Sequence, residues 1–158
     1  MDNNMIDELN KYLNQDIDNP KYLYHGSNKR LDILEPRLAH DSENNKINIA
    51  EAIFLFPSFL KSTAYAFKDT IKELSEGLEW SFEIPNDDTY PLMKMKNVNV
   101  SDDMVGYVYV FEKDNSMIKD NDTYQYKCYH CLEPIDVIKV KYKDYKKYYE
   151  KLERKKLK

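Results

Sequence analysis

The stretch MVGYVYVFEK, Met104 to Lys113, constrains this chain more than any other. Val, Tyr and Phe fill it, and such side chains suit a strand in a packed sheet. Shorter strand candidates stand around it. Tyr22–Tyr24 ends at His25, and Leu31–Leu34 resumes after a turn at Asn28–Arg30 and stops before Pro36. Ala52–Phe56 is apolar, LEWSFEI (Leu78–Ile84) alternates, and Pro91–Val100 alternates weakly. Tyr124–Tyr129 and Ile135–Tyr142 complete the set. Helical signals are fewer. Pro57 stops a strand and Ser58 can cap a helix running through Glu73, with Phe59, Leu60, Ala64, Ala66 and Phe67 at helical spacing. Asp7–Leu13 reads as a short helix and Tyr145–Lys156 as a closing one. HDSENNKIN (His40–Asn48) and DNSMIKDNDT (Asp114–Thr123) read as loops. There are no repeats and no regular βαβ alternation, and most strands fall in the second half. The order predicts an α+β fold with largely antiparallel sheet.

A chain of 158 residues suits one core, and 42% hydrophobic content excludes a disordered polymer. The organisation expected is a helical leader over 1–20, closed by Pro20, and one domain over 21–158 ending in a basic helix. No apolar run approaches the roughly 18 residues of a membrane span. The opening MDNNMIDELNKYLNQ lacks an apolar signal core, and two cysteines do not make a disulfide scaffold, so a cytoplasmic setting is expected. The net charge of −4 is unevenly spread. Lys139–Lys158 holds ten basic against three acidic residues, leaving 14 basic and 25 acidic in the body. An acidic body is a poor nucleic-acid platform, and the tail reads first as a solvated helix. Tyr142, Tyr145, Tyr148, Tyr149 and Leu152 form one stripe, which would pack that helix back on the sheet.

YLYHGS places one of three histidines beside one of three glycines at a strand end. Downstream comes AIFLFPSFLKSTAYAF, in which Tyr65 follows Phe54 by eleven positions and Ser62 precedes Tyr65 by three. The chain closes with YQYKCYHCLEPIDVIKVKY. Together, in this order, these segments resemble the ADP-ribosyltransferase superfamily, most of all its diphtheria-toxin-like branch, which includes the poly(ADP-ribose) polymerases and the rifamycin ADP-ribosyltransferases. The likeness spans about Tyr22 to Tyr142 and skips the middle of the chain. It implies split antiparallel sheets with a few flanking helices, and NAD+ as the co-substrate.

The resemblance also implies roles. Tyr65 would form one wall of a dry nicotinamide slot, and Phe54 the other wall or its support. Stacking of a cationic ring on such faces is worth about 0.5 to 2 kcal/mol. Gly26, lacking a Cβ, would let the backbone reach the nicotinamide carboxamide. Ser62 would bond the same amide, His25 a ribose hydroxyl of the adenosine half, and Ser27 would help fix the ligand. Taken singly, each has a plainer reading: a strand-end histidine bonded to backbone, core aromatics, a turn glycine.

Two positions depart from the family pattern. Phe54 replaces the usual tyrosine and loses its hydroxyl. Gln125 stands where the family carries its catalytic glutamate; an amide bonds a ribose but supplies no negative charge, which argues against polymer elongation. The rifamycin-modifying branch uses an aspartate after the preceding strand, which points to Asp120 or Asp122, either of which could instead be a solvated turn residue. Glu112 at a strand end is a further acid. His40 and Asp41 lie in the loop that would flank the site. CYHC (Cys128–Cys131) is half of a zinc pattern with no second pair, and reads as a sheet position plus a turn, with no metal expected. Two functions follow: a mono-ADP-ribosyltransferase acting on a protein, nucleic acid or small molecule, or a non-catalytic NAD+ or ADP-ribose-binding or interaction module of the same fold. The RNA 2′-phosphotransferase branch needs arginines around a phosphate, and only Arg30 and Arg37 fall near.

Overall fold

Alternating apolar residues build strands, and one helical stripe builds a long helix, over the residues that the structure, a computed structural model, describes: 15–36, 52–74, 80–83, 92–95, 101–120 and 123–149. In chain order the elements are β1 (Tyr22–Ser27), β2 (Ile53–Leu55), α1 (Phe59–Leu74), β3 (Trp80–Glu83), β4 (Leu92–Met95), β5 (Val105–Glu112), β6 (Ile118–Lys119), β7 (Tyr126–Cys128), β8 (Asp136–Lys141) and α2 (Tyr142–Tyr149). All pairing is antiparallel, in sheets ordered β1-β5-β8, β2-β7-β6 and β3-β4. The fold is α+β, as the order of elements predicts.

The MVGYVYVFEK run is the central strand of the first sheet, and its alternation serves two cores. Val108 and Val110 face a core shared with α1, α2 and Tyr24. Tyr109 and Phe111 face a second core shared with Leu23, Ile53, Leu55, Tyr126 and Cys128. The second sheet therefore covers one face of the first, and the helices cover the other.

Helix α1 beds on the first sheet through glycines. A Cβ at Gly26 would lie 1.9 Å from the Ser62 carbonyl oxygen, and one at Gly106 would lie 2.7 Å from the Ala66 Cβ. Only hydrogen fits at either point. The Ser58 hydroxyl caps α1 by accepting from the Lys61 N–H at 3.2 Å. Helix α2 packs against α1, with Tyr142, Tyr145 and Tyr149 buried and Phe67 edge-on to Tyr142 and Tyr149. The Tyr149 and Thr63 hydroxyls are hydrogen-bonded. The tyrosine stripe turns inward, as its spacing predicts; Leu152 lies outside the described residues.

Several boundaries differ from expectation. β1 does not end at His25 but runs through Ser27, because β5 pairs with it as far as Tyr107. Leu34 makes only an isolated bridge with Leu132. The polar DNSMIKDNDT segment contains β6, since Ile118 and Lys119 add to the edge of β7. The closing helix starts at Tyr142 rather than Tyr145. Residues Gln15–Pro20 are not helical, and the expected helix at Asp7–Leu13 lies outside the described residues, as does the His40–Asn48 loop. Among the described residues no helix is long and apolar enough to cross a membrane.

Candidate functional site

Along a strand, backbone N–H and C=O groups of alternate residues point to the same edge. On β1 that alternation exposes one edge to β5 and the other to β2. Tyr24 exchanges both its bonds with Phe56 on the β2 side, at 2.8 and 2.9 Å. Tyr22 faces the same edge and is satisfied by a side chain. The Gln15 carboxamide accepts from the Tyr22 N–H at 2.9 Å and donates to the Tyr22 carbonyl at 2.7 Å. Its nitrogen also donates to the Pro57 carbonyl at 2.7 Å. Gly26 is the third residue on this edge, and among the described residues none bonds to it there.

Among the described residues Gly26 has no partner on this edge, because β1 and β2 part after the Tyr24–Phe56 bridge. The next antiparallel pair would join Gly26 to Phe54. The Phe54 carbonyl is instead taken by the His25 ring, whose Nδ1 lies 2.8 Å away. A carbonyl only accepts, so Nδ1 carries the proton of this bond. The imidazole thus stands in for a rung of the ladder, and the parting of the sheets begins at the histidine. Ser27 closes the strand with its hydroxyl accepting from the Lys29 N–H at 3.1 Å. The following turn is tied down by Tyr109, whose hydroxyl donates to the Lys29 carbonyl at 2.6 Å and accepts from the Leu31 N–H. Burial pushes the Tyr109 hydroxyl pKa above its ordinary value, so it keeps the proton it donates.

The face of the second sheet beside this gap follows from register. Phe54 pairs with Lys127, and Lys127 with Ile118 on its other side. One step along, the register sets Phe56 opposite Gln125, and the Asp120 N–H donates to the Gln125 carbonyl at 2.9 Å. Phe54, Phe56, Gln125, Lys127 and Asp120 therefore share one face; Ile53, Leu55, Tyr126 and Cys128 take the buried one. Phe56 carries the Tyr65 ring, stacked at 4.9 Å between centroids and 15° between planes. The Lys68 ammonium lies 5.8 Å from the Tyr65 ring centroid. The Lys127 ammonium lies 5.8 Å from the Phe54 centroid and 3.5 Å from Asp120 Oδ1.

The residues singled out by sequence distribute as follows. His25, Gly26 and Phe54 meet where the sheets part. Ser62 sits under Gly26, fully buried, its hydroxyl donating to the Ser58 carbonyl at 3.2 Å. Tyr65 lies three residues further along the helix, with Phe56 rather than Phe54 as its ring partner. Gln125 and Asp120 are joined to each other through backbone; Asp122 lies outside the described residues, as do His40 and Asp41. Glu112 pairs with Tyr22, at the opposite end of the β1 ladder from Gly26. Cys128 is buried in β7 and Cys131 is exposed. Among the described residues no group of three or more His, Cys, Asp or Glu side chains is arranged to hold a metal ion. Sequence reasoning passed over Gln15, Phe56 and Lys127. The last two had a signal, since Phe54-x-Phe56 and Gln125-x-Lys127 each place two side chains on one strand face. Gln15 had none.

No family model, curated protein or solved structure matches this chain.

Proposed function

We propose that this chain is an NAD+-dependent mono-ADP-ribosyltransferase that takes the nicotinamide end of NAD+ where β1 parts from β2. The Gly26 edge, unpaired among the described residues, carries the reading. It offers one N–H and one C=O side by side, the complement of a primary carboxamide. Gln15 makes that same two-bond contact with Tyr22 on the same edge. Nicotinamide brings the same group.

Other features support the reading. His25 prevents Phe54 from closing the gap. Phe54 and Tyr65 supply aromatic faces near the opening, and a cationic ring gains from such faces. Ser62 and Ser27 flank Gly26 in the fold and in the chain, respectively. Cleavage of the glycosidic bond sends the bonding pair to the nicotinamide nitrogen and builds positive charge on the ribose. A carboxylate stabilises that charge, and Asp120 or Asp122 is assigned this part. The Gln125 amide would hold a ribose hydroxyl. The acceptor, whether protein, nucleic acid or small molecule, then attacks the anomeric carbon and loses its proton. A cytoplasmic setting goes with use of NAD+.

A second reading keeps the slot without the transfer. Gln125 in place of an acid and Phe54 in place of the usual tyrosine favour it. Calorimetry with NAD+ on the wild type, His25→Ala and Tyr65→Ala, with nicotinamide release followed in the same samples, separates the two. Binding lost in both variants, together with release by the wild type, is the expected result. Binding without release selects the non-catalytic module. No binding by the folded wild type overturns both.

A further inference from the structure

We infer that Lys127 is a positioning residue, holding the Asp120 carboxylate on the face that also carries Phe54 and Gln125. The inference rests on the transferase reading above. Lys127 occupies the middle strand of its sheet, paired with Phe54 on one side and Ile118 on the other. A lysine on a strand face ordinarily extends its ammonium into water. Here the side chain is only 17% exposed, and its ammonium lies against the Phe54 ring and beside Asp120. Charge withdrawn from water in this way is costly unless it meets an opposite charge.

Asp120 is held twice as a result. Its backbone N–H is bonded to the Gln125 carbonyl, and its carboxylate is paired with the Lys127 ammonium at 3.5 Å. The carboxylate and the Gln125 amide thereby share one end of the β6-β7 ladder. A carboxylate that must meet charge developing on a ribose acts through position, and a shift of about 1 Å can lower turnover on the order of 100-fold. Lys119, the neighbouring cation, is directed elsewhere: its ammonium donates to the Asp120 backbone carbonyl at 3.3 Å, not to the carboxylate.

The test uses the full chain and NAD+ as the probe. Lys127→Met should leave NAD+ affinity unchanged while turnover falls on the order of 10- to 100-fold. Lys127→Arg, which keeps the charge, should restore most of it. In an Asp120→Asn background, Lys127→Met should have no further effect on turnover, because its target is gone. Equal loss in both backgrounds, or failure of arginine to rescue a folded protein, would overturn the inference. So would a Lys127→Met variant that turns over NAD+ like the wild type. Absence of NAD+ binding by the wild type is a different result and overturns the transferase reading on which the inference stands.

Discussion

The sheets β1-β5-β8 and β2-β7-β6 have three strands each and are held by different means. The first has six residue pairs on either side of β5, and a helix lies close on it over Gly26 and Gly106. The second has three pairs between β2 and β7 and two between β7 and β6. Where it meets β1, the ladder is completed by side chains: the Gln15 amide at one end and the His25 ring at the other. Long ladders and close packing stabilise the first sheet through many repeated contacts. The short second sheet leaves the Gly26 backbone without a partner at its junction among the described residues, and that junction is where the proposed function places its ligand. The long-laddered sheet and the short one are thus joined, among the described residues, by the isolated Tyr24–Phe56 bridge and the side chains beside it.

The sharpest way to break the contrast is to fill the space beneath α1. Gly26→Ala drives a methyl group against the Ser62 carbonyl, which cannot rotate away. The expected loss is about 3 kcal/mol, near the upper end for overpacking. Gly106→Ala meets the Ala66 Cβ at 2.7 Å and the Ala66 carbonyl oxygen at 3.0 Å, a milder clash than the 1.9 Å at Gly26, and should cost less. Urea denaturation checks both. Equal effects would mean that the helix yields as easily over β1 as over β5.

Alkali probes the helix side next. Burial pushes the Tyr149 hydroxyl pKa well above 10.0, and burial raises Tyr145 strongly as well. In the unfolded chain both ionise near 10. Above that pH the folded state holds protons that the unfolded state has lost. The stabilisation is full below pH of about 10 and falls as pH rises, by about 1.4 kcal/mol per pH unit for each such tyrosine. Denaturation midpoints should therefore hold level from neutral pH and then drop. Tyr149→Phe should make the drop shallower; an unchanged slope would place the alkaline weakness in the second core.

Gln15→Ala tests the junction itself and should have the smallest effect. It frees the Tyr22 N–H and C=O and the Pro57 carbonyl, which are only partly buried, at a cost of about 1 kcal/mol. The Tyr22 amide should then exchange hydrogen faster while the β5-β8 amides keep their protection. Faster exchange throughout would show that the two sheets open as one unit.

Much of this was legible in the sequence. The β5 pattern, the α1 stripe and the α2 tyrosines each report a periodicity that burial enforces, and the structure follows them. Boundaries were less legible because pairing, not composition, extends β1 to Ser27 and makes β6 from two residues of a polar stretch. For the candidate site, the sequence brought forward His25 and Gly26 but gave no sign that the glycine also lies against α1. Its missing Cβ accommodates the helix, whereas its open backbone follows from strand alternation, which no residue type announces. The Phe56–Tyr65 stack depends on how α1 crosses β2, a tertiary angle absent from local pattern. Gln15 acts across seven residues to Tyr22 and forty-two to Pro57, and nothing in its neighbourhood marks it.

The two glycines under α1 also decide how this molecule can move. Because the helix backbone rests directly on Gly26, no side chain lies between them at that point to absorb a shift. Gly26 and the Ser62 carbonyl are therefore held as one unit. The short sheet is tied to β1 by far fewer bonds: the Tyr24–Phe56 bridge, the His25 ring on the Phe54 carbonyl and the Gln15 amide on Pro57. Local opening of the chain should therefore begin between β1 and β2, before α1 lifts from β1.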